Sequence, residues 1–129
     1  MTITIKYSLE VGGTDEPYNS FKEIQQLPNY NDIVYIDCVH NKLVELADLP
    51  QSLQVLRCSY NKLVALPEDL PQSLQELYCS CNKLTELPSH LPQSLLVLSC
   101  DNNNLTELPN LSQSLQKLYC SYNKLVELP

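Results

Sequence analysis

The sequence predicts an α/β-type solenoid, a horseshoe-shaped arc of stacked coils with a parallel β-sheet on its inner face. Three observations favour this fold class: an asparagine recurs at steps of 20 or 21 residues, a short apolar segment precedes each asparagine, and prolines bound most of the segments between them. Periods of about 20 to 50 residues are typical of folds in which each repeat stacks on its neighbours. The recurring asparagines are Asn41, Asn61, Asn82, Asn103 and Asn123.

Residues 1 to 28 lie outside this period and are predicted to form an N-terminal cap made of a strand and a short helix. Apolar side chains alternate near the start of the chain, which is typical of a strand with one buried face. These side chains are Ile3, Ile5, Tyr7, Leu9 and Val11. The glycines and the proline of residues 12–17 then predict a turn.

The helix of the cap is predicted from residue 20 onward. Ser20 and Glu23 have capping-box spacing, which lets each side chain accept a hydrogen bond from a backbone N–H group at the helix start. Apolar residues at positions 21, 24 and 27 follow at helical intervals, so the helix should end before Pro28. The strand and the helix together should cover the open edge of the first repeat.

Residues 29 to 129 are predicted to form five repeats, the last of them incomplete. In a typical repeat Leu56 and Cys58 should point inward while Val55, Arg57 and Ser59 point outward, because side chains alternate along a strand. One such strand per repeat, laid parallel at a spacing of about 4.8 Å, forms the inner face of the arc. Each repeat must stack, because a unit of this length cannot enclose its own apolar face.

Segments such as residues 66–71 should return the chain along the outer face of the arc. Proline lacks a backbone donor and biases the preceding residue toward extended conformations, so these segments cannot be regular α-helix. We expect them to be extended or to contain short 3₁₀ turns.

The repeated pattern L-x-x-L-x-C-x-x-N-x-L, with its flanking Leu-Pro pairs, resembles the leucine-rich repeat family. It is similar to the short bacterial-type LPX-like repeats of secreted ubiquitin-ligase effectors and of large DNA viruses. The resemblance implies the horseshoe fold and a role in recognising another protein. Cysteine in place of leucine or valine at the third core position departs from the usual pattern.

Five cysteines recur with the repeats and should form a ladder inside the arc. Their spacing allows neighbouring Cα atoms to approach within disulfide range, but inward-pointing thiols in a reducing compartment are expected to remain free and to pack as small apolar groups. Zinc sites use closely spaced ligand pairs, which this ladder lacks, so no metal is predicted. The ladder consists of Cys38, Cys58, Cys79, Cys100 and Cys120. Cys81 lies outside it and is expected to be solvent-accessible.

The asparagine ladder is predicted to be structural. Where each strand turns toward the outer face, backbone N–H and C=O groups lose their partners, and buried polar groups need replacements. An asparagine amide supplies two donors and an acceptor, which can satisfy the turn backbone within and between repeats.

Composition excludes several functional classes. A formal net charge of −7 argues against nucleic acid and anionic membranes as partners. Two histidines and two glycines leave little material for proton-transfer catalysis or a phosphate loop, so we predict no enzymatic activity and no cofactor. The chain has neither an apolar run of membrane-spanning length nor a secretory signal at its start, which predicts a cytoplasmic location, or the host cytoplasm for an effector or viral protein.

Function is expected on the concave strand face, where the repeats differ most. Tyrosine and arginine are enriched among the residues that dominate binding energy at interfaces. We expect Tyr35, Arg57, Tyr78 and Tyr119 to act as anchors for a protein or peptide. The full predicted surface comprises Tyr35, Asp37, Arg57, Tyr60, Glu76, Tyr78, Lys117, Tyr119 and Tyr122.

Two other functions stay open at this point. The resemblance implies that the chain could be the substrate-recognition half of a ubiquitin-ligase effector, whose catalytic cysteine would lie in a separate domain. The near-duplicate repeats also fit a structural scaffold without a specific partner. Weak end-to-end self-association is a further expectation, because the last predicted strand, near residues 117–121, leaves backbone groups unpaired.

Overall fold

A computed structural model describes residues 2–10, 16–46 and 48–126. All of the described strands belong to one sheet of seven, in the order β2-β1-β3-β4-β5-β6-β7. The chain order of the elements is β1 Ile3–Lys6, β2 Glu16–Tyr18, α1 Phe21–Gln25, a 3₁₀ helix Tyr30–Asp32, β3 Tyr35–Asp37, β4 Val55–Arg57, β5 Glu76–Tyr78, β6 Val97–Ser99 and β7 Lys117–Tyr119. The predicted solenoid with a parallel sheet and little helix is confirmed.

The five repeat strands pair in parallel and in register, so that equivalent residues of successive repeats lie side by side. At the start of β4, β5, β6 and β7 two consecutive N–H groups share one acceptor; those of Gln54 and Val55 both bind the carbonyl oxygen of Val34, at 2.8 and 3.0 Å. This shared bond places two residues between the inward-pointing Leu53 and Leu56. Strict alternation along a strand would place one residue between two inward-pointing leucines, in the pattern L-x-L. The shared acceptor adds one residue, which explains the L-x-x-L spacing.

The core is a continuous column of leucine, isoleucine and cysteine side chains between the sheet and the outer segments. Central strand residues Ile36, Leu56, Leu77 and Leu98 have no solvent exposure. Because equivalent side chains are in register, each repeat supplies the apolar surface that covers the next one.

The outer segments are extended, and most of them contain one tight turn. The N–H groups of Leu53 and Leu74 donate to the carbonyl oxygens of Pro50 and Pro71, at 3.2 and 3.1 Å. A serine in the turn adds a bond to the preceding coil that the sequence analysis did not predict: the hydroxyl of Ser73 donates to the carbonyl oxygen of Leu53 at 2.6 Å. Among the described residues the only 3₁₀ helix precedes the first repeat strand.

The N-terminal strand is shorter than predicted. β1 ends at Lys6, and Leu9, expected on its buried face, is 47% exposed. Val11 lies outside the described residues, as do residues 12–15 of the predicted turn. Pro17 belongs to β2, which pairs antiparallel with β1, and not to a turn. A proline is compatible with this position because β2 lies at the edge of the sheet.

The predicted helix is confirmed. The side-chain oxygen of Ser20 accepts a hydrogen bond from the N–H of Glu23 at 3.2 Å, and the carboxylate of Glu23 accepts one from the N–H of Asn19 at 2.9 Å. The helix ends at Gln25, and Ile24 packs into the core without solvent exposure.

β7 is the last described strand, and no described strand pairs with its outer edge. It spans Lys117–Tyr119 and so ends two residues earlier than predicted. Leu118 and Cys120 are only half-buried there, whereas their equivalents Leu98 and Cys100 are fully buried. Residues 127–129, at the end of the predicted fifth repeat, lie outside the described part of the chain.

Candidate functional site

The asparagine ladder holds the turn at the end of each strand. The amide nitrogen of Asn82 donates to the carbonyl oxygens of Cys79 in its own coil and Cys58 in the preceding coil, both at 3.1 Å. Its amide oxygen accepts a bond from the N–H of Leu63 at 3.0 Å. Asn61, Asn103 and Asn123 repeat this arrangement. Asn41, in the first coil, bonds instead to the backbone of Thr2 in the cap.

The residue before each ladder asparagine has a left-handed backbone conformation, with φ between 55° and 61°. L-residues other than glycine and asparagine seldom adopt it, because the Cβ atom approaches the carbonyl oxygen. These residues are His40, Tyr60, Cys81, Asn102 and Tyr122. The conformation places the histidine and tyrosine side chains along the border of the concave face, where the rings of His40 and Tyr60 stack at 4.5 Å between centroids.

The cysteine ladder belongs to the core. All six cysteines are free, and Cys38, Cys58, Cys79 and Cys100 are fully buried. Burial raises the pKa of Cys38 and of Cys100 from 9.0 to about 12, and the pKa of Cys58 and of Cys79 well above 9.0. A thiol that stays protonated is a poor nucleophile and a poor metal ligand, so these groups act by packing.

Cys81 and Cys120 are the two half-buried thiols. Cys81 is more exposed than the fully buried cysteines of the ladder, in the direction that its place outside the ladder predicts. A side-chain hydrogen bond with Cys81 raises the pKa of the exposed hydroxyl of Tyr60. This contact joins two successive residues of the left-handed series along the border of the concave face.

The concave face carries a connected network of charged and aromatic side chains on β3, β4 and β5. The guanidinium Nε of Arg57 lies 3.7 Å from a carboxylate oxygen of Asp37, and the guanidinium lies 5.2 Å from the ring centroid of Tyr78. The hydroxyl of Tyr78 donates to the carboxylate of Glu76 at 2.5 Å. That bond, together with burial, raises the pKa of Tyr78 to about 12. Four of the predicted binding residues are thus held in fixed relative positions.

The network continues onto the cap through a residue that the sequence analysis missed. Lys6 of β1 is in register with Tyr35, and its ammonium lies 4.7 Å from the centroid of that ring. The hydroxyl of Tyr35 lies 3.5 Å from the carboxylate of Asp37. Antiparallel pairing of β1 with β3 brings Lys6 to the concave face, and the repeat period carries no signal for that pairing.

Val55 is less exposed than its place in the predicted alternation suggests. It points to the concave side, as expected, but is only 7% exposed. Its register position lies between the larger residues Tyr35 and Glu76. The remaining predicted residues lie farther along the sheet or on its border: Lys117, Tyr119, Tyr60 and Tyr122 are all exposed, Tyr122 to 81%.

Charge is distributed unevenly between this face and the rest of the molecule. The concave face carries three basic and three acidic side chains, so it is locally neutral; they are Lys6, Arg57, Lys117, Asp37, Glu76 and Asp101. The net charge of −7 therefore resides elsewhere in the chain. A locally neutral face exerts no strong long-range attraction on polyanions.

Three shallow surface depressions stand out among the described residues. One, of about 350 Å³, lies on the concave face over β5, β6 and β7. The other two lie among the outer segments and have carboxylate side chains in their walls. In the described part of the chain, no three His, Cys, Asp or Glu side chains are grouped so as to hold a metal ion. Nor does any described helix have the length and apolar character needed to cross a membrane.

Comparison with known proteins identifies the repeats. The family model described as Leucine Rich Repeat matches residues 73–95. The leucine-rich repeat domain of a Shigella effector is 41% identical, with a TM-score of 0.70 over 73% of this chain and 42% of that one. No curated protein sequence gives a significant match.

Two solved structures of YopM are also similar. The leucine-rich effector YopM from Yersinia pestis is 33% identical, with a TM-score of 0.61 over 72% of this chain and 32% of that one. YopM from Yersinia enterocolitica is 38% identical, with a TM-score of 0.55 over 68% and 24% respectively. The chain thus spans less than half the length of each of these proteins. These similarities, together with the repeat geometry, show that the chain belongs to the leucine-rich repeat family, with repeats of the bacterial effector type.

Proposed function

We propose that this chain is a non-catalytic interaction module that holds a protein or peptide on its concave strand face. The observation that carries the proposal is the network of Asp37, Arg57, Tyr78 and Glu76, whose side chains are positioned by one another on a locally neutral sheet. Arginine and tyrosine held in place before binding lose little conformational entropy when a partner arrives. Similarity to effector repeat domains supports the same class of function.

The size of the surface limits the partner. Five strands with about three outward residues each present roughly 300 to 400 Å² of flat area, from strand geometry. A standard protein interface buries about 800 Å² on each partner. The concave face alone therefore suits an extended peptide or a loop of a larger protein.

The test is comparative capture of partners from a cell lysate, with quantitative mass spectrometry. The double variant Arg57→Ala/Tyr78→Ala removes the centre of the network, whereas Lys62→Ala/Glu86→Ala removes two exposed side chains outside the concave face. We expect the first variant to lose specific partners that the parent and the second variant retain, with circular dichroism showing that both fold. Equal capture by all three proteins would refute a binding role for the concave face.

A second candidate is the substrate-recognition half of a ubiquitin-ligase effector acting in the host cytoplasm. The similarity to an effector domain, of which this chain covers 42%, favours it over other enzymatic contexts. The gene distinguishes the two: a cysteine-containing helical domain encoded downstream supports the ligase, whereas a stop codon or further repeats support the interaction module.

Self-association through the β7 end is a separate and weaker proposal. Leu118, Cys120 and Leu125 are half-exposed there, and no described strand covers the β7 edge. Exposed strand edges and apolar flanks favour pairing with another chain. Sedimentation equilibrium should detect dimers at high concentration, and a strictly monomeric protein would exclude this contact.

A further inference from the structure

β6 carries a short side chain between two long ones on the concave face. Ser99 lies in register between Tyr78 of β5 and Tyr119 of β7. The two tyrosines are separated by two strand spacings, about 9.6 Å. Van der Waals contact on both sides of an inserted side chain requires about 7 to 8 Å. The backbones on either side of Ser99 are therefore far enough apart to admit one side chain of a ligand between the two tyrosines.

The surface next to this gap, at the start of β6, is apolar. Val97 and Leu96 line the depression of about 350 Å³ and are both half-buried. Glutamine occupies the position of Leu96 in both neighbouring repeats, as Gln75 and Gln116. This apolar surface is thus confined to the β6 repeat. We call the gap, with Leu96, Val97 and Ser99 between the two tyrosines, the β6 notch.

The rim of the β6 notch carries one acidic and one basic side chain. Glu76 and Lys117 flank Val97 in register. One oxygen of Glu76, Oε1, accepts the hydroxyl of Tyr78 at 2.5 Å, which holds that carboxylate against β5. Lys117 is exposed, and among the described residues no carboxylate oxygen lies within ion-pair distance of its ammonium. The rim charge without a hydrogen bond or ion pair among the described residues is the cation of Lys117.

We propose that the β6 notch receives a bulky apolar side chain of an extended peptide segment whose adjoining residue is acidic. The proposal rests on the peptide-binding function proposed above and names the chemistry of the segment bound. The apolar side chain contacts the two rings and this apolar surface, and the carboxylate binds Lys117. Acidic side chains of the chain that lie beyond about 8 Å from the peptide carboxylate repel it only weakly, because physiological salt screens charges over that distance.

Titration of the ¹⁵N-labelled chain with short capped peptides tests the notch. The probe is acetyl-Gly-Glu-Phe-Gly-amide, and the comparison peptides replace Phe with Ala or Glu with Lys. We expect shifts of the Ser99, Val97 and Tyr119 amide signals, with the Ala peptide binding about tenfold more weakly because the burial of a phenyl ring is lost. The Lys peptide should bind up to about fivefold more weakly, in line with an exposed ion pair.

Two variants separate filling of the notch from loss of the charge. Ser99→Tyr places a third ring between the first two and should weaken binding at least tenfold, whereas Thr85→Tyr adds the same side chain at an exposed position elsewhere and should not. Lys117→Glu, also at an exposed position, should reverse the preference between the Glu and Lys peptides. Unchanged binding to Ser99→Tyr, or an unchanged preference in Lys117→Glu, would overturn the proposal.

The same variants keep this proposal distinct from the broader function. Suppose that partners captured from lysate are lost by Arg57→Ala/Tyr78→Ala but retained by Ser99→Tyr. The concave face then binds protein without using the β6 notch, and the notch proposal fails alone. If neither variant loses a partner, the broader function fails.

Discussion

The coil around β5 and the coil around β7 carry the same core residues but bury them to different degrees. Leu77, Cys79 and Leu84 have no exposure, whereas their equivalents Leu118, Cys120 and Leu125 are half-buried. The ladder asparagines of both coils nevertheless make equivalent hydrogen bonds, because each asparagine bonds only within its own coil and to the preceding one. The apolar side chains of a coil are therefore fully buried only when a coil lies on each side. The asparagine of a coil makes its hydrogen bonds when only the preceding coil is present.

Strongly alkaline pH should unfold the protein, because the interior thiols resist ionisation only while buried. The pKa of Cys79 lies well above 9.0 and that of Cys100 near 12 in the folded chain. The unfolded thiols lose their protons at lower pH, so stability is complete below about pH 9 and falls progressively toward about pH 12. Urea unfolding from about pH 7 to about pH 11 measures this loss.

Two variants test whether the loss of stability at alkaline pH comes from the buried thiol of the β5 coil. Cys79→Ala should flatten the pH dependence, because one fully buried thiol is removed. Cys120→Ala, a matched change at a half-buried position, is the control. Equal pH profiles for the two variants would show that burial of the thiols is not the cause.

Leucine truncation should separate the two coils directly. Leu77→Ala should cost about 2 to 5 kcal/mol, the usual range for a fully buried leucine that leaves a cavity. Leu118→Ala should cost distinctly less, because water already reaches one flank of that side chain. Denaturant unfolding of both variants gives the difference, and equal losses would contradict the burial argument.

Truncation of the ladder asparagines should also cost more stability in the β5 coil than in the β7 coil, but the difference should be smaller than for leucine. Asn82→Ala should cost about 1 to 3 kcal/mol, because it leaves buried backbone groups without partners. Asn123→Ala breaks equivalent bonds, but its half-exposed surroundings let water replace some of them. Thermal unfolding provides the measurement, with exposed Asn110→Ala as the control. A thermally neutral Asn82→Ala protein would rule out a structural ladder.

Backbone strain should be the same in both coils and is the smallest effect expected. Cys81 and Tyr122 both have φ of 55°. Glycine adopts this conformation without a Cβ clash, so Cys81→Gly and Tyr122→Gly should each gain up to about 1 kcal/mol from relief of strain. Cys81→Val, with a branched side chain, should lose stability. Chemical denaturation compares the three, and a gain from Cys81→Val would refute the assignment of strain.

Much of the fold was predictable because the repeats encode it locally. The 20- or 21-residue period, the inward leucines and the ladder asparagines lead to parallel coils, and the structure has them in that register. The capping-box spacing likewise led to α1. The extent of β1 was wrong, because Leu9 continues the alternation without a partner strand to bury it.

The candidate site was predictable in its residue types but not in its connections. The outward columns of tyrosine, arginine and acidic residues can be read from the repeat alignment. The contact of Lys6 with Tyr35 depends on β1 pairing with the first repeat strand, and the burial of Val55 depends on which residues flank it. No periodic signal in the chain specifies either feature.

The amino-acid order alone therefore determined the coil, its inward residues and the polar ladder that closes each turn, because a repeated local pattern dictates a repeated local structure. The tertiary arrangement decided which of those residues are fully buried, which charged side chains contact one another, and where a short side chain leaves a gap between two tyrosines. These properties depend on what the neighbouring coils place alongside, and contacts between side chains about 20 residues apart arise only when the coils stack.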